Sequence, residues 1–454
     1  MRVGQQTASA PKLARVLTLW DLIFYGMVVI QPTAPLPLFG VVDKVARGHV
    51  ATTLLIGMIA MMLTAVSYGR MARAYPSAGS SYTYVGRELG PVWGFLTGWS
   101  IVLDYTLNPA IGTIWCSKAA MNVLPLPFPV WAVFFAGLFT VMNLRGIRAS
   151  ARTNMALTIG MCAVVATFLV SAARYLVGTQ GWGGLLSRQP FYDPATFSWA
   201  TVSTGASVAV LTYMGFDGIS TLSEEVENPR RNVLLATVLL CFITGVLGCL
   251  EVYMGQLVWP DYATFPNEET AFVSVAGRAG GPVMFQLMNL TLLVATIGSS
   301  AGAQTGAVRL LYAMGRDGVL PGGFFGHLDP IRHTPTYNAL LTGAIALTVA
   351  LFVSYQAGAE LLNFGAFIAF MSVNLAALFR YYVREGPRNG KSILLNLAPP
   401  LAGFTICLYI WWSLRTPAKI AGGCWLLLGV GYCAWKTGFF KRRLMLPDAG
   451  LENQ

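Results

Sequence analysis

Charge is what this chain has least of. Asp, Glu, Lys and Arg make up 11% of its 454 residues, against about 25% in a soluble domain, which excludes a soluble globular fold. Histidine is scarcer still, with His49, His327 and His333 all in predicted loops. There is no HExxH, no GxSxG and no Cys/His cluster, so the groupings that metal-dependent and nucleophilic enzymes need are missing and neither an enzyme nor a cofactor is expected. The segment GPRNGKS, residues 386–392, has its leading glycine one residue too close to the GK pair for a phosphate loop and follows no strand. Seven cysteines (Cys116, Cys162, Cys241, Cys249, Cys407, Cys424, Cys433) fall in apolar stretches without CxxC spacing and read as small core residues. A cleavable leader is not expected either: the start, with Arg2, Lys12 and Arg15, lacks a short apolar core and small-residue cleavage site.

What is abundant is apolar surface. Hydrophobic residues are 55% of the chain and the mean hydropathy is +0.59, the signature of a membrane protein. A bilayer core of ~30 Å needs roughly 20 apolar residues per helix. Twelve such stretches are read near 17–40, 50–69, 91–121, 129–144, 155–177, 199–222, 233–258, 282–312, 337–356, 360–381, 393–414 and 418–438, an all-α integral membrane fold with no room for a soluble domain. Lys and Arg concentrate in cytoplasmic loops. With the N terminus inside, 22 of the 30 basic residues fall on the cytoplasmic side, from Arg70 and Arg73 through Arg230 and Arg231 to Lys441, Arg442 and Arg443. Both termini, residues 1–16 and 439–454, are therefore expected in the cytoplasm of a cell whose plasma or inner membrane holds the chain. This bias accounts for the net charge of +11, so the partner is the lipid bilayer and nucleic acid is not expected.

The first stretch interrupts itself. GMVVIQPTAPLPLFG, residues 26–40, carries Gln31, Pro32, Pro35 and Pro37, and proline removes a backbone donor and kinks a helix. Irregular backbone at membrane depth survives only inside protein or beside a water-filled cavity. The segment from Ile30 through Gln31, Thr33 and Ala34 to Pro35 is expected to unwind and offer its freed backbone groups to cargo; a plain proline kink is the alternative. Five segments later, Gly205, Gly215 and Gly218 flank a polar cluster, Tyr213, Met214, Gly215, Phe216 and Asp217. Glycine admits backbone conformations other residues avoid, and Asp217 is costly in hydrocarbon unless it faces a partner or water. Two matched breaks predict a five-plus-five inverted repeat, residues 17–177 and 199–381, with helices eleven and twelve (393–438) appended.

The stretch SYGRMARAYPSAGSSYTYVGRELGPVWGFLTGWSIVLDY, the sixth-helix exit GFDGISTLSEEVENPRRN and the eighth-helix exit RLLYAMGRDGVLP closely resemble the amino acid-polyamine-organocation superfamily, and within it the putrescine-importer-like permeases. Three motifs in the right order span residues 15–385. The resemblance implies a leucine transporter-type fold and an ion-coupled carrier of amino acids or amines that works by alternating access, with protons favoured over sodium. Two departures stand out: the first-helix break IQPTAP is proline-rich where relatives have Gly and Ser, and the fifth segment has no lysine.

In the third segment Thr97, Ser100, Asp104 and Asn108 stand at i, i+3, i+7 and i+11, one face of a helix. Asp104, near mid-membrane, is expected to hold a substrate ammonium with the ring of Tyr105 beside it; a structural hydrogen bond is the bland alternative. Asp217 is expected to take an amine or the coupling proton, since proton and cation compete for the same charge. Tyr213 and Phe216 either cover the site or pack. Glu224 and Glu225, next to Arg230 and Arg231, suggest a cytoplasmic gate, whereas Glu227 reads as solvated. Glu251 is an outer gate or an interfacial residue. Thr296, Ser299 and Ser300 are set against the first-helix break as a candidate sodium site, or else permit close packing. Arg309, Arg316 and Asp317 are assigned to loop structure. A carboxylate on the cargo would meet a half-helix N-terminus, with Gln31 and Thr33 adding hydrogen bonds. Two mid-membrane acids favour an amine. An exchanger or sodium-coupled symporter of the same fold, and a sensor that binds without moving cargo, are the alternatives.

Overall fold

The computed structural model describes residues 17–75, 80–145, 151–222, 226–316, 318–330, 334–385 and 389–438. In chain order the helices are α1 (Leu19–Ile30), α2 (Phe39–Val45), α3 (Val50–Ala74), α4 (Ser80–Glu88), α5 (Pro91–Met121), α6 (Phe128–Leu144), α7 (Ala151–Gln180), α8 (Trp199–Ala209), α9 (Pro229–Val258), α10 (Ala271–Arg316), α11 (Gly322–Phe325), α12 (Thr336–Phe352), α13 (Tyr355–Leu378), α14 (Gly390–Ser392), α15 (Ala398–Trp412) and α16 (Thr416–Lys436). Seven of the described helices are long and apolar enough to cross a membrane, and α1, α6 and α12 are shorter apolar helices. This is an all-helical, multi-span membrane protein. Among the described residues the sole β pairing is an isolated bridge between Leu17 and Val226, which ties the chain entering α1 to the chain leaving the sixth stretch.

Both interruptions read from the sequence are present. Helix α1 starts on a capping box, in which Thr18 and Asp21 satisfy each other's backbone N–H. It stops at Ile30 because Gln31 takes φ 72° and Pro32 has no N–H for the carbonyl of Val28. The N–H of Ala34 goes to the carbonyl of Gln31 at 3.2 Å, so the carbonyl of Ile30 is also passed over by the helical ladder. In the sixth stretch, α8 tightens into a 3-10 turn over Val210–Tyr213, Met214 is extended, Gly215 takes φ 108°, and a second 3-10 segment runs Phe216–Leu222. The sequence did not announce a third break: α10 bends at Gly281, φ 75°, so that residues 271–280 form a separate arm before Pro282 starts the long span.

Helix α5 is the central post, packed against α10, α12, α13 and α4. Small residues set how close its neighbours come. A side chain at Gly112 would collide with Ser300 of α10, and one at Gly365 of α13 would meet the carbonyl of Ser100. Buried polar side chains pair across helices: Ser67 donates to Asn374 at 2.6 Å, and the Asn374 amide donates to Thr64 at 3.0 Å. At the end of the bundle where α1 begins, Glu88 closes α4 and its side chain is fully buried. It receives Arg380 at 2.8 Å, Arg384 at 3.0 Å and the Tyr75 hydroxyl at 2.6 Å. Burial, and then the hydrogen bond to Glu88, push the Tyr75 phenol up to about 12, so it stays a donor at neutral pH.

Candidate functional site

The two breaks touch. A side chain on Gly215 would run into Val29 and lie 3.6 Å from Ile30, so the unwound part of the sixth stretch lies against the end of α1. Only glycine fits there, both for φ and for space. Beside this contact, Gln31 leaves α1 and donates its side-chain amide to the carbonyl of Ala295 on α10 at 2.6 Å. That bond fixes the first break to the α10 wall, a positioning role in addition to any contact with cargo.

From α5, Asp104, Tyr105 and Asn108 remain partly accessible within the bundle, as do Gln31, Ala34, Met214 and Asp217, whereas Ile30 and Thr33 are buried. Asp217 is close enough to act electrostatically on Asp104, Tyr105 and Tyr68. Backbone N–H groups of Gly215, Asp217 and Gly218 lie near its carboxylate, and the Gly218 N–H itself goes to the Gly215 carbonyl at 3.0 Å. The other half of the α5 polar stripe turns inward: Thr97 and Ser100 are buried and bond the carbonyls of Trp93 and Leu96, each at 2.8 Å.

The opposite wall was not read from the sequence. Gly298, Gly302 and Gly306 recur every four residues along α10, one helical face. A side chain at Gly298 would sit 3.9 Å from the Gln31 amide, one at Gly306 3.6 Å from Tyr105, and one at Gly302 would meet nothing within 4 Å. The spacing IGSSAGAQTG, residues 297–306, carries this signal.

Several expected lining residues lie elsewhere. Tyr213 is buried and its hydroxyl donates to the carbonyl of Leu54 at 2.9 Å. Phe216 packs edge-on against Tyr68 at 5.4 Å and also meets Phe370 at 5.4 Å. Both belong to the core behind the break, the packing alternative, and both are fully buried there. Ser300 and Thr296 lie against Gly112 of α5, which is close helix packing; Ser299 is half-buried beside them. Glu251 is fully buried in α9 with no hydrogen-bond partner for either oxygen among the described residues. Glu224, Glu225 and Asp317 lie outside the described residues. Glu227 is exposed, and its N–H donates to Leu17.

The end of the bundle that carries α2 is closed. Lys44 of α2 pairs with Glu268, Gly40 packs so closely on the Glu268 carbonyl that no side chain fits, and Trp115 of α5 donates to the Glu269 carbonyl at 2.6 Å. The segment before α10 thus bridges α2 and α5. At the opposite end, Tyr25 is 43% exposed and Gly302 and Arg309 are exposed. Both partners of the Lys44–Glu268 pair are half-exposed, so Lys44→Ala is expected to change stability by less than about 1 kcal/mol. It should still raise labelling of a cysteine placed at Thr33, buried in the first break, by a membrane-impermeant thiol reagent several-fold.

Residues 18–429 match the family model described as amino acid permease. The chain is 34% identical over 442 residues to the low-affinity putrescine importer PlaP of Escherichia coli strain K12, covering 95% of this chain and 96% of that one. It is 27% identical over 454 residues to the methylthioribose transporter of Bacillus subtilis strain 168, covering 93% of each. Its identity to the branched-chain amino acid permease BcaP of Lactococcus lactis is 24% over 445 residues, covering 92% of this chain and 93% of that one.

Proposed function

The chain belongs to the amino acid permease family, a carrier and not an enzyme, and from that premise we propose that it takes up a small amine, a polyamine such as putrescine before an amino acid, by proton symport and alternating access. The observation that carries this is the contact of the two helix breaks beside two carboxylates, Asp104 and Asp217, that both stay accessible. One ammonium would rest on Asp104 with the ring of Tyr105 beside it; a second, at the far end of a diamine, would rest on Asp217. The similarity to a putrescine importer supports this substrate class. In this reading residues 17–177 and 199–381 are inverted five-helix repeats, helices eleven and twelve follow in 393–438, and the chain sits in the cell membrane with both termini cytoplasmic. The closed α2 end then faces outward and the cleft opens inward, with Glu224, Glu225 and Glu251 as gating groups and the proton carried at Asp217.

A ligand that binds only the folded form stabilises it by RT ln(1 + [L]/Kd), about 2.7 kcal/mol at a hundredfold excess over Kd. Purified protein heated with a panel of amines and amino acids, with and without sodium and across pH, should melt several degrees later with putrescine than with neutral amino acids. A shift given only by neutral amino acids would replace the amine reading, and a sodium-dependent shift would replace the proton.

A further inference from the structure

We propose that neutral His49 is a proton-sensitive latch that fastens the loop between α7 and α8 to the turn between α2 and α3. His49 is completely buried. Its Nδ1 lies 2.8 Å from the carbonyl oxygen of Ala46, and a carbonyl can only accept, so Nδ1 carries a proton. Its Nε2 lies 3.0 Å from the backbone nitrogen of Asp193, and an N–H can only donate, so Nε2 offers a lone pair. The two contacts together fix one tautomer. A second ring proton would aim an N–H at the N–H of Asp193, and therefore the imidazolium and the latch exclude each other. Histidine is the side chain whose charge ordinarily changes near neutral pH.

The loop has few other attachments. Thr52 donates to the Phe191 carbonyl at 2.7 Å, and the Tyr253 hydroxyl bonds Leu185 and Ser187. Phe197 meets the His49 ring edge-on at 5.2 Å. Residues 189, 193 and 196 of the loop form one wall of a 260 Å³ cavity whose other wall is Arg47, Gly48 and residues 260–262. Release of the latch widens this mouth at the α2 end of the molecule.

The charged and titratable groups beside His49 in the chain or on the walls of the same cavity are Asp43 and Lys44 from the end of α2, Arg47 from the turn, Asp193 from the loop, and Asp261 and Tyr262 from the connection between α9 and α10; Tyr192 of the loop meets the Phe197 ring that lies against His49. Arg47 and Lys44 oppose a charged ring and the carboxylates favour one. Asp193 and Asp261 each spend an oxygen on a backbone N–H two residues on, Ala195 at 2.9 Å and Ala263 at 3.0 Å, so their hold on the loop geometry is local. Asp43 is fully buried with neither carboxylate oxygen hydrogen-bonded among the described residues, and burial raises its pKa well above the ordinary carboxylate value, so the pH response of His49→Gln is what separates its titration from that of the ring.

Hydrogen exchange of the full-length protein in lipid nanodiscs reads the latch directly, because the Asp193 amide is the donor. Exchange is compared at about pH 5.5 and about pH 8, bracketing the histidine range, after correction for the intrinsic pH dependence of exchange. The expected result is about tenfold weaker protection over residues 187–198 at the lower pH, and protection in His49→Gln that does not change with pH, since glutamine stays neutral. Nitrogen NMR of the imidazoles, with His49 assigned by its absence in His49→Gln, should show the Nδ1–H tautomer at the higher pH. Wild-type protection that does not change with pH, a His49→Gln protein that keeps the same pH response, or an Nε2–H tautomer overturns the proposal. None of these readouts depends on which substrate is carried.

Discussion

Asp104→Asn is expected to weaken putrescine binding by about a hundredfold while the protein still folds. Removing one partner of a desolvated charge pair costs about 3 kcal/mol, and each 1.4 kcal/mol is a factor of about ten. Asparagine keeps the shape of the side chain and leaves α5 packed, because Asp104 has accessible surface and makes no hydrogen bond to α13 among the described residues. Isothermal titration on the purified variant measures the change. An affinity unaltered in Asp104→Asn would remove that residue from the ammonium site and return it to a structural role.

Glu88→Gln is expected to be the most destabilising single change away from the cleft. The Glu88 carboxylate is buried and shared by Arg380, Arg384 and Tyr75, and it holds α4 to the end of α13. Breaking a buried pair by removing one charge costs about 3 to 5 kcal/mol; since Arg384 is half-exposed, the lower figure applies. A fall of about 3 °C in melting temperature follows for a chain of 454 residues. Arg384→Gln, whose side chain can already reach water, should move it by less than about 1 °C. Equal effects of the two substitutions would show that Glu88 is not the centre of the cluster.

The features legible in the sequence were those with a local physical signature. The span 91–121 coincides with α5, because Gly90 and Pro91 punctuate its start and apolar composition carries the rest. The breaks were legible because proline and glycine state their backbone consequences without help from the fold, and positive φ occurs inside both segments expected to break, at Gln31 and at Gly215. What could not be read depended on partners far away in sequence. Glu88 looks like part of a loop motif until Arg380 arrives 292 residues later. His49 was only a loop histidine until Asp193 closed on it from 144 residues away. For Tyr213 and Phe216 the choice between covering the site and packing rests on Leu54, Tyr68 and Phe370, and for Ser300 the choice between a sodium ligand and close packing rests on Gly112, all far away in sequence. Composition fixes which segments are buried in lipid; which face of a segment meets a cleft is decided by its neighbours.

The central claim is that the joined breaks and the carboxylates beside them bind and move an amine. Counterflow in proteoliposomes tests it most directly: vesicles loaded with unlabelled putrescine are diluted into labelled putrescine, and label inside is followed. The account predicts transient accumulation of label by the wild-type protein and its loss in Asp104→Asn and in Gly215→Val, which forces Val29 out of place. Accumulation that survives both substitutions, or counterflow of neutral amino acids with none of putrescine, would contradict it.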